Sequence, residues 1–179
     1  KASYAAGDDL MPTEQVLEGT YRVVLMGDLV HLKTLAEYRR ITGIEDYNPE
    51  DPVHLRAAAK AQIRELYRLK RFTDAAPKTV TILMGNHDHA VLTGDLVLGN
   101  KHLEHREFHP EMGGLELPQD IKAWMNAFPA EINLHKVNFA HVGPVPWLQS
   151  YDALFYQGHE AKEWWFKTPD YVERMGHRF

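Results

Sequence analysis

Thr79-Val80-Thr81-Ile82-Leu83-Met84-Gly85-Asn86-His87-Asp88 is the stretch that decides the fold. β-Branched and apolar residues run without strict alternation into a glycine and then into three polar side chains. A run of this kind reads as a buried strand in a sheet covered on both faces. Its polar cluster then stands at the strand's carboxyl end, where open α/β sheets place their sites. The carbonyl of Asn86 is a neutral oxygen ligand for a hard or borderline cation. His87 has the right chemistry to donate a proton to a leaving oxygen or to stabilise charge on a transferring group. Asp88 is placed to orient or charge that imidazole. The bland alternative is an asparagine turn capped by its own side chains.

Outward from this stretch, two more runs end in the same way. Residues 21–26, Tyr-Arg-Val-Val-Leu-Met, read as a buried strand stopping at Gly27-Asp28-Leu29-Val30. A carboxylate directly after a strand is held rigidly, and its two oxygens are able to bridge two cations. Residues 137–140 form a less regular strand ending at His141, followed by Val142-Gly143-Pro144. Alone, Gly27-Asp28 reads as a turn and His141 as a structural histidine; only the ordered series makes them ligands.

Between the first two strands lies a helix. Asp51 is its N-cap and Pro52 its first residue, and Leu55, Ala59, Ile63 and Leu66 repeat at helical spacing. Arg56, Lys60, Arg64 and Arg68 fall on the other face, which reads as solvated. Residues 118–128 are a second amphipathic helix, with Ile121, Trp124 and Phe128 on one side. Residues 1–20 read as a loop or short helix, and 90–116 as a long irregular loop or cap insertion, the kind of segment that often carries function. Short helices are expected over 160–166 and 169–175, the latter capped by Thr168. Trp124, Trp164 and Trp165 sit at helical positions as packing residues.

The chain of 179 residues is long enough for a sizeable core and is most simply one domain. With 44% hydrophobic and 25% charged residues it has an ordinary globular composition. Its net charge of −5 and lack of a basic run argue against nucleic acid as a partner. There is no cysteine, so any metal is held by oxygen and imidazole, of which 11 histidines are a rich supply. No apolar run approaches the roughly 20 residues that span a bilayer, so no membrane association is expected. The cytoplasm is the default compartment.

Gly-Asp-x-Val at 27–30, Gly-Asn-His-Asp at 85–88 and His-x-Gly at 141–143 together resemble three signatures of the calcineurin-like metallophosphoesterases. The pattern is most similar to the serine/threonine phosphatase-like branch, which includes Shewanella-type phosphatases and symmetrical diadenosine tetraphosphate hydrolases. The likeness spans residues 21–143. It implies an α/β (α+β) chain folded as a four-layer αββα sandwich, truncated here at one or both ends. It implies two divalent ions (manganese, iron, zinc or magnesium), with Asp28 bridging both and Asn86 and His141 on the second. His87 is then the acid or electrostatic catalyst, supported by Asp88, and a metal-bridging hydroxide attacks phosphorus in line. The implied substrate is a phosphate ester: a small molecule, a nucleotide or a phosphoprotein.

The chain departs from this pattern in several places. The opening Asp-x-His signature is missing, and its place is expected at or before Lys1. Where the branch reads Gly-Asp-x-Val-Asp-Arg-Gly, this chain has His31, Leu32 and Lys33 at the last three positions. The aspartate that commonly partners the catalytic histidine is thus His31. The phosphate-gripping arginine is Leu32, beside a lysine that offers a point charge and no fork. Gly176-His177 is either the last family signature or a helix terminated by a left-handed glycine. His102, His105 and His109 have the spacing of a helical zinc face but read first as an exposed polar loop, and His89 reads as filling space behind the motif. The competing function is a non-catalytic binding or regulatory module on the same fold.

Overall fold

The computed structural model describes residues 10–94, 97–100 and 103–141. Two of the expected strands are neighbours. β1 (Val23–Leu25) and β2 (Val80–Ile82) pair in parallel, in the register Val23↔Val80 to Leu25↔Ile82. Parallel partners need a long crossover, and here two helices supply it, α2 (Leu35–Thr42) and α3 (Pro52–Ala75); a one-turn α1 (Glu14–Leu17) precedes β1.

Both crossover helices have starts written in the sequence. In α2 the Thr34 side chain accepts from the Glu37 N–H and Glu37 reaches back to the Thr34 N–H, a reciprocal capping box. In α3 the Asp51 carboxylate accepts from the Val53 N–H at 2.8 Å, with Pro52 at the first position as expected. Leu55, Ala58, Ala59, Gln62 and Leu66 line its buried face, and Ile63 packs half-buried beside them. On the opposite face Lys60 and Arg64 are exposed, whereas Arg56 donates to the Gly113 carbonyl at 3.2 Å.

The third expected strand is β6 (Val137–Ala140), which pairs antiparallel with β5 (Glu131–Leu134). His135 and Lys136, both at positive φ, make the two-residue turn between them. Neither β1 nor this hairpin is buried on both faces; the described side chains of β1 and β6 are half-exposed. Only β2 carries the burial the sequence implied.

Two segments differ more from the sequence reading. Residues 86–93 form a helix, α4 (Asn86–Thr93), closed by Gly94 at φ +71°. The polar motif is therefore the first turn of a helix rather than an open turn. The insertion that follows holds a minimal hairpin, β3 (Gly99–Asn100) with β4 (Leu103–Glu104), and a 3₁₀ turn over Pro110–Met112. α5 (Gln119–Asn126) matches the expected second amphipathic helix: Ile121 and Met125 are fully buried, and the Trp124 and Phe128 rings meet edge to face at 4.9 Å.

The main core joins Val30, Ala59, Leu66, Val91, Phe108, Leu117, Ile121 and Met125, drawn from the segment after β1, from α3 and α4, and from the insertion and the helix that follow. Burying each larger side chain of this set is worth about 1.5–3 kcal/mol. Among the described residues no helix is long and apolar enough to cross a membrane. The chain is thus of mixed helix and strand. The expected helices over 160–166 and 169–175, with Trp164 and Trp165, Val142-Gly143-Pro144, His102 and His177 lie outside the described residues.

Candidate metal centre at the strand ends

The turns after β1 and β2 are pressed together, and two glycines make this possible. A Cβ on Gly27, at φ +84°, would meet the Gly85 nitrogen at 2.5 Å. A Cβ on Gly85 would meet the Asp28 nitrogen at 2.2 Å and an Asp28 carboxylate oxygen at 2.5 Å. No side chain fits at either place. Asp28 and His31 are themselves in the left-handed region, at φ +55° and +68°. Such conformations cost about 1–3 kcal/mol each and persist only where surrounding structure enforces them.

Asp88 is that enforcement. Its side chain is fully buried, and its oxygens accept from the backbone N–H groups of Asp28 (2.8 Å), Leu29 (2.8 Å) and Gly85 (3.0 Å). Burial pushes its carboxyl up to about 6, and the three donors hold it back from rising further. The sequence reading had Asp88 orienting His87. The correction is physical: as the third residue of α4, Asp88 turns inward to satisfy amides of both turns, so it positions the backbone and not the imidazole.

What the clamp presents is a convergence of three side chains. His141 Nε2 lies 3.2 Å from an Asp28 carboxylate oxygen and 3.1 Å from the Asn86 amide oxygen. The other Asp28 oxygen accepts from the His87 N–H at 3.1 Å, which fixes the carboxylate's rotation. His141 Nδ1 donates to the Met26 carbonyl, so in the neutral ring Nε2 carries the lone pair. Asp28, Asn86 and His141, singled out separately in the sequence, thus share one point at the ends of β1, β2 and β6.

The electrostatics are those of an ion pair between Asp28 and His141. Burial alone would raise the Asp28 carboxyl, but the hydrogen bond and charge of His141 outweigh it and hold Asp28 below the usual carboxylate range. Burial likewise opposes charging His141, yet the bond and charge of Asp28 lift it above the ordinary imidazole value. Two acceptor oxygens therefore face one ring nitrogen, and a single proton serves them unequally. A divalent cation bound by oxygen and imidazole satisfies all three lone pairs, and this donor set suits magnesium, manganese, iron or zinc alike.

His87, half-buried, stands beside this point. Its ring partner is His31, with the two Nδ1 atoms 2.8 Å apart. The position at which the resemblance has an aspartate therefore still supplies the partner, as an imidazole. Burial depresses His87, although the Asp28 charge works against that. Leu32 packs into a core cluster and takes no part in the site. Lys33 is exposed, and its charge also depresses His87, which places it within electrostatic reach of that ring.

A second group was not foreseen. His105 and His109 are each only 3% exposed, where the sequence reading had an exposed polar loop. His105 stacks on His31 with centroids 4.5 Å apart and planes 6° from parallel, and His87 stands edge-on to both. Among the described residues no helix joins His105 and His109; His105 follows β4. Only its pairing with residues far away in the chain buries it, and residue spacing carries no trace of that. His89 is half-buried at the third position after Asn86.

No protein-family model matches the chain, and searches among curated proteins and solved structures also find no match.

Proposed function

We propose that this chain is a metal-dependent phosphoesterase of the calcineurin-like kind, acting on a phosphate ester. The observation that carries this reading is the convergence of Asp28, Asn86 and His141 within about one hydrogen-bond length at the ends of β1, β2 and β6. Parallel pairing of β1 with β2 suits the four-layer αββα sandwich of that family, of which the described residues would be the central part.

In this reading Asp28, Asn86 and His141 would hold a divalent cation. Such ions would supply Lewis acidity at the phosphoryl oxygens and lower the pKa of a water. The protein's own part is positional and protonic. Asp88 fixes both turns through three backbone amides. The His87 N–H fixes Asp28. With Nδ1 of His87 occupied by His31, Nε2 is the nitrogen that would hold a proton for the leaving oxygen. Lys33 would add attraction for an anionic ester as a point charge. Substrates in keeping with this are phosphomonoesters, small nucleotides or a phosphoprotein side chain.

The test is hydrolysis of aryl phosphates and diesters by protein reconstituted with manganese, zinc or iron, alongside Asp28→Asn and His87→Ala. Metal-dependent turnover that both substitutions depress supports the reading. No turnover with any metal, together with fewer than two ions bound, would favour the non-catalytic module, for which the replacement of a carboxylate by His31 beside His87 is the motivating feature.

A further inference from the structure

We infer that His31, His87 and His105 form a second cation site, for a zinc-class ion that prefers imidazole, separate from the oxygen-rich point at Asp28. One ring nitrogen of each lies within 4.8 Å of the others. The residues come from three places in the chain: the turn after β1, the first turn of α4, and the loop after β4. Nothing local forces such a gathering. Three neutral imidazoles are one of the ligand sets of catalytic zinc sites, and imidazole also suits copper and nickel.

The surroundings are organised as for a ligand set. His105 Nδ1 donates to the Tyr38 hydroxyl oxygen at 3.0 Å, and that hydroxyl donates to Glu107. This leaves the lone pair of His105 on Nε2, the arrangement by which outer partners fix a ligating ring. Glu107 also accepts from the Gln62 side chain at 2.9 Å, and the Gln62 side-chain oxygen accepts from the backbone N–H of His31 at 2.7 Å. One buried network thus holds both His31 and His105. His31 Nε2 is buried with no hydrogen-bond partner among the described residues, a polar atom whose desolvation nothing yet offsets. Burial and neighbouring imidazoles hold both His31 and His105 below the ordinary imidazole value.

The stacked rings of His31 and His105 do not yet aim at one point, because parallel planes cannot both contain a cation. Closure to the about 3.3 Å nitrogen–nitrogen edge of a tetrahedral zinc shell, which follows from zinc–nitrogen bonds of about 2.0–2.1 Å, requires one of the pair to rotate. His87 belongs to both groups. An ion held by its ring would withdraw it from proton transfer, so excess zinc would inhibit hydrolysis; this consequence rests on the phosphoesterase reading, whereas the binding does not.

The experiment is titration of the metal-free full chain with cobalt(II) and zinc, reading the visible spectrum of cobalt and the stoichiometry of zinc by mass spectrometry under native conditions. Four proteins are compared: the parent, His105→Asn, Tyr38→Phe and Asp28→Asn. The parent should give the intense absorption of four-coordinate cobalt with nitrogen ligands. His105→Asn should lose it and weaken zinc binding at this site at least about 100-fold, while Tyr38→Phe, which keeps all three imidazoles, should weaken it about 10–100-fold. Asp28→Asn should leave it intact. Equal cobalt spectra and zinc affinity in the parent, His105→Asn and Tyr38→Phe, with folding confirmed by circular dichroism, would overturn the site. Loss of the signal only in Asp28→Asn would assign the ion to the strand-end centre instead. A failed phosphoesterase reading, by contrast, would appear as absent turnover with the cobalt signal unchanged.

Discussion

The strand-end centre and the histidine layer lie side by side and share His87, yet they are built in opposite ways. The first is made by backbone: two turns pressed together at Gly27 and Gly85, clamped by three backbone N–H hydrogen bonds to the Asp88 carboxylate, with side chains projecting from fixed points. The second is made by side chains: Tyr38, Glu107 and Gln62 reach across from other elements to hold His31 and His105 in place. A backbone-built site is strained but rigid, and it survives loss of a ligand. A side-chain-built site depends on every member of a buried network, whose satisfaction is cooperative.

That contrast can be broken most sharply at Asp28. Asp28→Ala should remove the central ligand and depress hydrolysis more than about 10⁴-fold, beyond the worth of a general acid alone. Its unfolding midpoint in urea should hardly change, because Asp88 clamps the backbone N–H of residue 28 and not its side chain. A large stability loss would show that the carboxylate, and not the backbone, builds the site. Next in size, His87→Ala should cost about 10²–10⁴-fold in turnover with metal content at the Asp28 centre unchanged, as measured by steady-state kinetics and metal analysis.

The histidine layer should behave the other way. Glu107→Ala leaves the Tyr38 hydroxyl and the Gln62 amide without an acceptor in a buried setting. A loss of about 3 kcal/mol is expected, at about 1–3 kcal/mol for each unsatisfied group. Glu107→Gln, which retains an acceptor oxygen, should lose about 1 kcal/mol or less; denaturant titration of the two variants distinguishes them, and equal losses would contradict a hydrogen-bonded network. The smallest effect belongs to neither region: Asp51→Ala removes the cap of α3 and should cost about 1 kcal/mol with turnover unaffected.

The two regions also differ in how far they could be read from the sequence. The strand-end cluster was legible because each candidate ligand lies within four residues of a strand's end and each strand announces itself locally. Parallel neighbours then bring Asp28 and Asn86 together without any long-range information beyond strand pairing. The Asp51-Pro52 start of α3 and the Ile121 face of α5 were legible for the same reason, a short-range pattern with one physical solution. The helix over residues 86–93 was not foreseen, because Gly-Asn-His-Asp suits a turn as well as a helix start and the residues from 90 onward read as an irregular loop. The inward carboxylate of Asp88 and the closing Gly94 were the signals that could have decided it. The histidine layer was not legible at all. His31 meets His87 across 56 residues, and His105 meets Tyr38 across 67. Their burial depends on how the crossover helices and the β3–β4 segment pack, which no spacing of histidines encodes.

The central claim is that Asp28, Asn86 and His141 jointly hold a cation. Its most direct test is anomalous X-ray diffraction from crystals of the full chain grown with manganese, measured on both sides of the metal's absorption edge. An anomalous peak coordinated by the Asp28 carboxylate, the Asn86 carbonyl oxygen and His141 Nε2 is the predicted result. Crystals that bind manganese elsewhere, or in which these three side chains keep their direct hydrogen bonds at saturating manganese, would contradict it.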